Sequence, residues 1–274
     1  MTQNLDKDVV AGFGDEWSRF DQSALDAVEL RRMFENYFNI FPWEALPENS
    51  VGFDLGCGSG RWAKLVAPRV GRLHLIDPSD AIEVAKRNLS GVSNCSFHRA
   101  DVENIPIEDE SCDFGYSLGV LHHIPDTEAG IRACVSKLKT GAPFLLYLYY
   151  RFDNKPAWFR ALWKATDISR TVISRMPHFG RYAFSQFLAA GVYFPLARTA
   201  LMLEKMGTNV ENFPLSQYRR NSFYTMRTDA LDRFGTRLER RFTKNEIRDM
   251  MERSGLEKIA FSDTSFWTAV GYKA

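Results

Sequence analysis

The sequence has few cysteines, and no two of them are spaced for metal or redox chemistry. Four cysteines are scattered through 274 residues, and none forms a CxxC pair. This excludes a zinc ribbon or a thioredoxin-like motif, and we predict no metal site. The longest strongly apolar run, Phe187–Ala197, is short and contains Pro195, which argues against a transmembrane segment. The opening residues lack the basic start and apolar run of a signal peptide, so we expect a cytoplasmic location.

The whole chain has no large excess of charge of one sign, but its parts do. The formal net charge is +1, whereas residues 151–242 contain 16 lysines and arginines against 7 aspartates and glutamates. The remainder is therefore acidic. Such an asymmetry indicates that the two parts face different partners.

Short apolar strands alternate with amphipathic helices between residues 51 and 151. The predicted strands are Val51–Leu55, Arg72–Asp77, Ser96–Ala100, Cys112–Leu118 and Pro143–Tyr150, and the predicted helices are Ser59–Pro68, Ser79–Leu89 and Thr127–Leu138. A predicted helix, Thr243–Ser254, then precedes strands Leu256–Phe261 and Phe266–Tyr272, joined by the Ser262–Ser265 turn. Because that turn is short, the last two strands must be antiparallel. The pattern predicts an α/β protein with a Rossmann-like, mostly parallel seven-stranded sheet and a C-terminal antiparallel hairpin.

The domain organisation follows from where this alternation stops. Residues 1–50 are predicted to form an N-terminal helical segment, broken near Gly12 and Gly14. Residues 51–151 and 242–274 form the sheet domain. Residues 152–241, which we call the cap, are basic, aromatic and mainly helical in pattern, and we expect them to bind substrate.

The turn after the first strand is rich in glycine. It contains Gly56, Gly58 and Gly60, and glycines let a backbone approach a ligand closely. A dinucleotide site needs Gly-x-Gly-x-x-Gly, but here the third glycine comes one residue early and Arg61 takes its place. Asp54 would repel a pyrophosphate, whereas it suits an ammonium or sulfonium group. The spacing therefore disfavours a nicotinamide-dependent oxidoreductase.

The run from Asp54 to Gly60 resembles the first motif of the class I S-adenosylmethionine (SAM) dependent methyltransferases. The resemblance is to the group similar to ubiquinone and menaquinone biosynthesis methyltransferases, and it extends to about Tyr150 and resumes near Thr243. It implies that SAM is the cofactor and S-adenosyl-L-homocysteine (SAH) the product. The cofactor-binding residues that it implies are Asp54, Gly56, Cys57, Gly58 and Gly60 at the methionine portion, Asp77 and Pro78 at the ribose, Asp101 and Val102 at the adenine, and Leu118.

Two histidines follow the fourth strand, where ligands bind in open α/β sheets. Either His122 or His123 could act as a general base, since an imidazole titrates near neutral pH. We slightly favour His122, and the alternative is that one of them only connects loop backbone. The Asn/Asp-Pro-Pro-aromatic motif typical of nucleic-acid amino methyltransferases is absent here.

Near the start of the chain, Trp17 and Arg19 could belong to a lid over the cofactor. The alternative, which we favour, is that Trp17 belongs to the buried face of a packing helix.

The cap contains an aromatic and basic stretch that is a candidate substrate site, comprising Tyr218, Arg219, Arg220, Tyr224 and Arg227. Arginine suits carboxylate and phosphate recognition, although each arginine alone could equally form local ion pairs. We expect a small-molecule acceptor, anionic or lipid-like, with O- or C-methylation favoured over N-methylation. Peripheral contact with anionic lipid would give the same charge signal. An RNA- or protein-directed methyltransferase, or a SAM-binding module without catalysis, stays open as an alternative.

Overall fold

The computed structural model describes residues 3–264 and 267–274. The helices in chain order are α1 Lys7–Arg19, α2 Ala27–Phe38, α3 Ala63–Val66, α4 Ala81–Asn88, α5 Thr127–Ser136, α6 Ala157–Ile173, α7 His178–Leu188, α8 Phe194–Lys205, α9 Phe223–Gly235 and α10 Lys244–Arg253. The strands are β1 Val51–Leu55, β2 Arg72–Ile76, β3 Cys95–His98, β4 Phe114–Leu118, β5 Pro143–Tyr147, β6 Leu256–Phe261 and β7 Thr268–Lys273.

The chain divides into two compact units. The first contains the residues up to Ser23, Leu30–Arg151 and the residues from Leu238 onward, and the second contains Ala24–Glu29 and Phe152–Arg237. At the junction, the Phe242 amide donates to the Tyr149 carbonyl and the Arg151 amide donates to the Phe242 carbonyl, both at 2.9 Å. These bonds join the chain where it leaves and re-enters the first unit.

The first unit is built on one seven-stranded sheet in the order β3-β2-β1-β4-β5-β7-β6. Strands β1 to β5 run parallel, and β7 pairs antiparallel with both β5 and β6. The predicted fold class is therefore confirmed. Because the strand order reverses between β1 and β4, the loops that follow these two strands meet at the carboxyl edge of the sheet.

Several predicted boundaries were wrong. The helix predicted over Ser59–Pro68 is only the short α3, followed by a 3-10 turn at Ala67–Arg69. Gly60 has a φ of +74°, which an α-helix cannot contain, so the helix starts late. Strands β2, β3 and β5 end earlier than predicted; polar residues follow β2 and β3, whereas buried Leu148 and two tyrosines follow β5. The predicted start at Phe266 and part of the Ser262–Ser265 turn lie outside the described residues.

The predicted break near Gly12 and Gly14 was also wrong, because α1 runs without interruption through both glycines. Asp6 begins this helix by accepting from the amides of Asp8 and Val9. Gly14 is buried, and a methyl group built on it would lie 3.6 Å from the Ser79 side chain. Gly14 therefore lies in ordinary contact with the residues that precede α4, and two glycines with poor helix propensity do not break the helix.

The second unit has its own small core around α6, α7, α8 and α9. The π-helical turn Ala189–Tyr193 joins α7 to α8, and Tyr193 packs against Tyr218 with ring centroids 5.4 Å apart. The buried members of this core are Ile173, Ala189, Tyr193, Ala197, Met226, Ala230 and Phe234.

The expectation that Pro195 interrupts the apolar run was wrong. His178–Lys205 forms 28 helical residues that are long and apolar enough to cross a membrane, by length and composition only. Pro195 lies in the first turn of α8, where its missing N–H is tolerated after the π turn. Only 22% of the apolar window is buried.

Candidate active site

The glycine turn after β1 is held against the end of β2. The amides of Gly56 and Cys57 both donate to the Ile76 carbonyl, at 2.7 and 3.1 Å. Gly56 has a φ of +76°, and a methyl group built on it would lie 2.3 Å from Val120. Only glycine fits at this position, so the turn after β1 and the loop after β4 approach each other closely.

Asp54 lies at the end of β1 with 1% of its surface exposed. Its Oδ2 has no hydrogen-bond partner among the described residues. Burial raises the pKa of Asp54 to about 8, and nearby Asp77 adds to the rise. The side chain of Tyr116, opposite on β4, lowers that pKa in part. A buried carboxyl group with one oxygen left without a hydrogen bond in the described chain fits a cationic ligand.

Asp77 follows β2 and is 7% exposed. Its Oδ1 accepts from the Ser79 amide at 2.9 Å and the Ser79 hydroxyl at 2.6 Å, and its Oδ2 accepts from the Gly58 amide at 3.0 Å. Burial raises the pKa of Asp77, and these hydrogen bonds partly reverse the shift. A carboxylate offers about four acceptor positions, so Asp77 can still accept from a ligand hydroxyl.

Asp101 lies beyond β3 and presents one oxygen to a donor from the N-terminal segment. Its Oδ1 accepts from the amides of Glu103 and Asn104, and its Oδ2 accepts from Gln3 Nε2 at 3.0 Å. The Gln3 carboxamide donates as an adenine amino group would. The neighbouring Val102 is buried in the core.

The N-terminal segment crosses the same edge of the sheet. Asn4 exchanges hydrogen bonds with the Asp126 backbone at 2.9 and 2.7 Å. Further along, the Phe13 and His123 rings have centroids 5.0 Å apart. At the other end, a methyl group built on Gly58 would lie 3.0 Å from the Trp17 indole. Helix α1 therefore lies over the glycine turn and the loop after β2, and the residues before it contact the loop after β3.

Arg19 differs from Trp17 in its position. It is 41% exposed and forms a 2.8 Å ion pair with Asp15 one helical turn away. Arg61, and not Arg19, lies beside Trp17. Its guanidinium is 5.4 Å from the Trp17 ring centroid and 4.5 Å from that of Trp62. The coulombic effect of Arg61 also lowers the pKa of Asp54. Sequence reasoning noticed Arg61 only as the residue in place of a glycine.

The two histidines after β4 have different surroundings. His123 Nδ1 lies 2.7 Å from the Leu238 carbonyl oxygen. Since a carbonyl only accepts, this nitrogen carries the proton, and Nε2 is the basic atom of the neutral ring. His122 is fully buried, and neither of its nitrogens has a partner among the described residues. Burial lowers the pKa of His122 well below its usual value. The structure thus fixes the tautomer of His123, whereas it gives the His122 ring no hydrogen bond in the described chain.

A buried tyrosine and a buried ion pair lie next to the two histidines. The Tyr149 ring packs against His122 in a tilted arrangement, with centroids 3.8 Å apart. The Arg241 guanidinium lies 5.0 Å from the Tyr149 ring centroid and forms a 2.8 Å ion pair with Glu239. Nothing in the local sequence around Arg241 indicated this role.

The residues predicted to bind the acceptor lie in the second unit, where Arg219, Arg220 and Arg227 contact other residues of that unit. Arg219 and Arg220 both pair with Glu204, at 2.7 and 2.9 Å, and together they lower the pKa of Glu204 to about 2. Arg227 bonds to Gln186 and to the Tyr182 hydroxyl. The residues predicted for the cofactor, by contrast, gather around one edge of the sheet in the first unit: Asp54, Gly56, Cys57, Gly58, Gly60, Asp77, Pro78, Asp101, Val102 and Leu118.

Comparison with known proteins identifies the sheet domain. Residues 53–146 match the family described as a methyltransferase domain. The chain is 33% identical over 108 residues to the tRNA (carboxymethyluridine(34)-5-O)-methyltransferase of Saccharomyces cerevisiae, covering 38% of this chain and 37% of the relative. It is 27% identical over 162 residues to the ubiquinone biosynthesis O-methyltransferase of Nitrosomonas europaea, covering 58% and 66%. The chain thus spans less than two thirds of either relative.

Solved structures support the same fold. A SAM-dependent methyltransferase of Thermotoga maritima superposes with a TM-score of 0.52 at 15% identity, covering 96% of this chain and all (100%) of that one. A methyltransferase of Methanococcus maripaludis gives a TM-score of 0.53 at 14% identity, with coverages of 100% and 97%. These two structures show the fold, and the match over residues 53–146 together with the sequence relatives confirms the resemblance to SAM-dependent methyltransferases.

Proposed function

Residues 53–146 belong to the methyltransferase domain family, and from this premise we propose that the chain is a SAM-dependent methyltransferase acting on a small-molecule acceptor. We propose that the acceptor is anionic or lipid-like and is methylated on oxygen or carbon.

The observation that carries the proposal is the unpartnered Oδ2 of buried Asp54 beside the glycine turn. Leaving a buried carboxylate uncompensated is costly, and the ammonium of a methionine-like group would offset that cost. Asp77 and Asp101 add acceptors for hydroxyl and amino groups at the same edge. SAM supplies an electrophilic methyl group when bound, and the role of these carboxylates is to bind and orient it.

His123 is our candidate for the residue that removes the acceptor proton. The Leu238 carbonyl holds the proton on Nδ1, so the neutral ring presents Nε2 as a base. Residues around it exclude water, since His123 is 3% exposed and packs against Phe13. A general base at this place suits a hydroxyl acceptor, for which proton transfer contributes about 10²–10⁴-fold to the rate.

The acceptor class rests on weaker and mixed support. The ubiquinone biosynthesis relative aligns with 58% of the chain and the tRNA methyltransferase relative with 38%, which favours a small molecule. The candidate acceptor arginines, Arg219 and Arg220, share Glu204, so their charge is partly neutralised within the second unit. The tRNA relative and the 16 basic residues in positions 151–242 favour RNA as the second candidate.

A label-transfer experiment separates these cases. The full chain and an Asp54→Asn variant are incubated with methyl-labelled SAM and a host extract, which is then fractionated. We expect label in the metabolite or lipid fraction with the wild type and little with the variant. Label in RNA or protein instead would contradict the small-molecule acceptor. Measurable SAM binding without transfer to any fraction would favour a non-catalytic module.

A further inference from the structure

Exposed apolar side chains are confined to one part of the molecule. Among the described residues, every large hydrophobic side chain that is exposed lies in the second unit. Most of them are on α6 and on the helical run from α7 to α8: Trp158, Leu162, Ile168, Val172, Met176, Phe179, Phe184, Phe187, Val192, Phe194, Met202 and Met206. Scattered single residues need no explanation, but such a concentration marks an interaction surface.

On α6 the exposed apolar residues share one face. Trp158, Leu162 and Val172 are 53%, 46% and 65% exposed, and their helical spacing places them in one stripe. The opposite face packs inside the unit, where Asp167 and Trp163 contact Arg233 of α9. The core of the second unit is therefore complete without the stripe.

A second stripe begins on α7. Phe179 and Phe187 are 81% and 68% exposed and lie two turns apart. The two stripes meet at the turn between α6 and α7, since Val172, Met176 and Phe179 follow one another within eight residues and are all exposed. We call the apolar residues of α6 and α7 the apolar surface.

Basic residues border this surface. Lys164 and Arg175 lie on one flank of the α6 stripe, and Arg160 and Arg181 donate to backbone carbonyls rather than to carboxylates. Within residues 3–264 and 267–274, none of these four forms an ion pair. Residues 152–237 as a whole contain 13 lysines and arginines against 6 aspartates and glutamates.

We propose that the apolar surface of α6 and α7, with its basic border, docks the chain onto an anionic lipid bilayer. Aromatic and aliphatic side chains beside lysines and arginines are what an interfacial helix needs. A second copy of the chain fits less well, because two such faces would bring uncompensated positive charges together. The surface lies on the membrane and does not span it, because one side of the α7–α8 run is held by Arg198 bonding to the Arg219 and Asn221 carbonyls.

The test is vesicle flotation of the full chain without cofactor or acceptor, so it can fail or succeed independently of the proposed activity. Vesicles of phosphatidylcholine mixed with phosphatidylglycerol are compared with phosphatidylcholine alone. We expect binding to the anionic vesicles that weakens with salt. The double variant Phe179→Asp, Phe187→Asp should lower the partition coefficient by about 100-fold or more, from the transfer of two phenylalanine side chains. Lys164→Glu with Arg175→Glu should lower it by about 30-fold or more on anionic vesicles only, because two attractive charges are replaced by repulsive ones.

Val28→Asp is the matched control, since Val28 is 74% exposed but lies outside both stripes, and it should bind as the wild type does. Circular dichroism and SAH binding establish that each variant is folded. The proposal is overturned if the wild type floats with neither vesicle, or if the phenylalanine variant floats as well as the wild type. A wild-type dimer that these phenylalanine substitutions dissociate, with no vesicle binding, would assign the surface to a second copy instead.

Discussion

His123 Nδ1 and the Leu238 carbonyl oxygen lie 2.7 Å apart although 115 residues separate them in the sequence. This bond ties the loop after β4 to the segment that returns to the sheet before α10. The Arg240 amide reinforces it by donating to the His122 carbonyl at 3.0 Å. The tautomer of the candidate base is thus set by a part of the chain that follows the second unit.

Replacing His123 by glutamine tests the proposed base. Glutamine can donate to the Leu238 carbonyl but cannot accept a proton at neutral pH, so kcat should fall by about 10²–10⁴-fold. SAH affinity, measured by calorimetry, should stay within about twofold. His122→Phe is the matched control, because it replaces two buried nitrogens that have no partner in the described chain and should cost little stability. A larger loss of kcat in His122→Phe than in His123→Gln would reverse the assignment.

Cofactor affinity should depend on pH through Asp54. Its pKa in the folded chain is about 8, above the value near 3.9 in an unfolded chain. The unligated protein therefore loses stability as pH rises from about 4 to 8, because ionising the buried carboxylate is unfavourable. A cationic ligand favours the ionised form, so the association constant for SAM should rise by up to about tenfold per pH unit between pH 6 and 7.5.

The Asp54→Asn variant separates this effect from the titration of SAM itself. It should bind SAM more weakly, lack this pH dependence, and melt at a higher temperature than the wild type at pH 8 without cofactor. Calorimetry and thermal unfolding measure the three quantities. An equal pH dependence in the variant would assign the effect to another group.

The parts of the fold that depend on local sequence were predictable. Val51–Leu55 and Leu256–Phe261 have the predicted bounds, because a short apolar run flanked by turn residues is decided locally. The glycine turn was recognisable for the same reason. The continuous helix through Gly12 and Gly14 was not, since glycine has a poor helix propensity and the packing of α1 on the rest of the unit is not visible in the local pattern.

The contacts that the arginines form could not be predicted from the sequence either. The composition of the cap indicated an excess of basic residues, but it could not indicate that Arg219 and Arg220 would share Glu204, 15 and 16 residues away. The placement of Arg61 between Trp17 and Trp62 likewise requires α1 to lie over the glycine turn. Long-range packing decides both.

The role of α1 as a lid is testable at Trp17. The Trp17 indole lies against Gly58 and so holds α1 over the glycine turn. Trp17→Ala should remove this contact, worth about 1.4 kcal/mol, and raise the dissociation rate of SAH by about tenfold. Trp17→Phe should retain most of the wild-type rate. Arg19→Ala is the control on the same helix, because Arg19 pairs with Asp15 at the surface. Stopped-flow displacement measures the rates, and equal rates in Trp17→Ala and Arg19→Ala would mean that Trp17 serves only packing.

Glu29 should be a determinant of stability in the second unit. It is 6% exposed, and its Oε1 accepts from the Ser222 amide at 3.0 Å and the Thr225 hydroxyl at 2.8 Å. Both donors lie at the start of α9, where a negative charge also interacts favourably with the helix dipole. Glu29→Ala leaves these buried donors without an acceptor, so the free energy of unfolding should fall by about 1–3 kcal/mol. Glu29→Gln keeps an acceptor oxygen and should lose less. Urea unfolding measures both, and an unchanged midpoint in Glu29→Ala would show that water replaces the carboxylate at no cost.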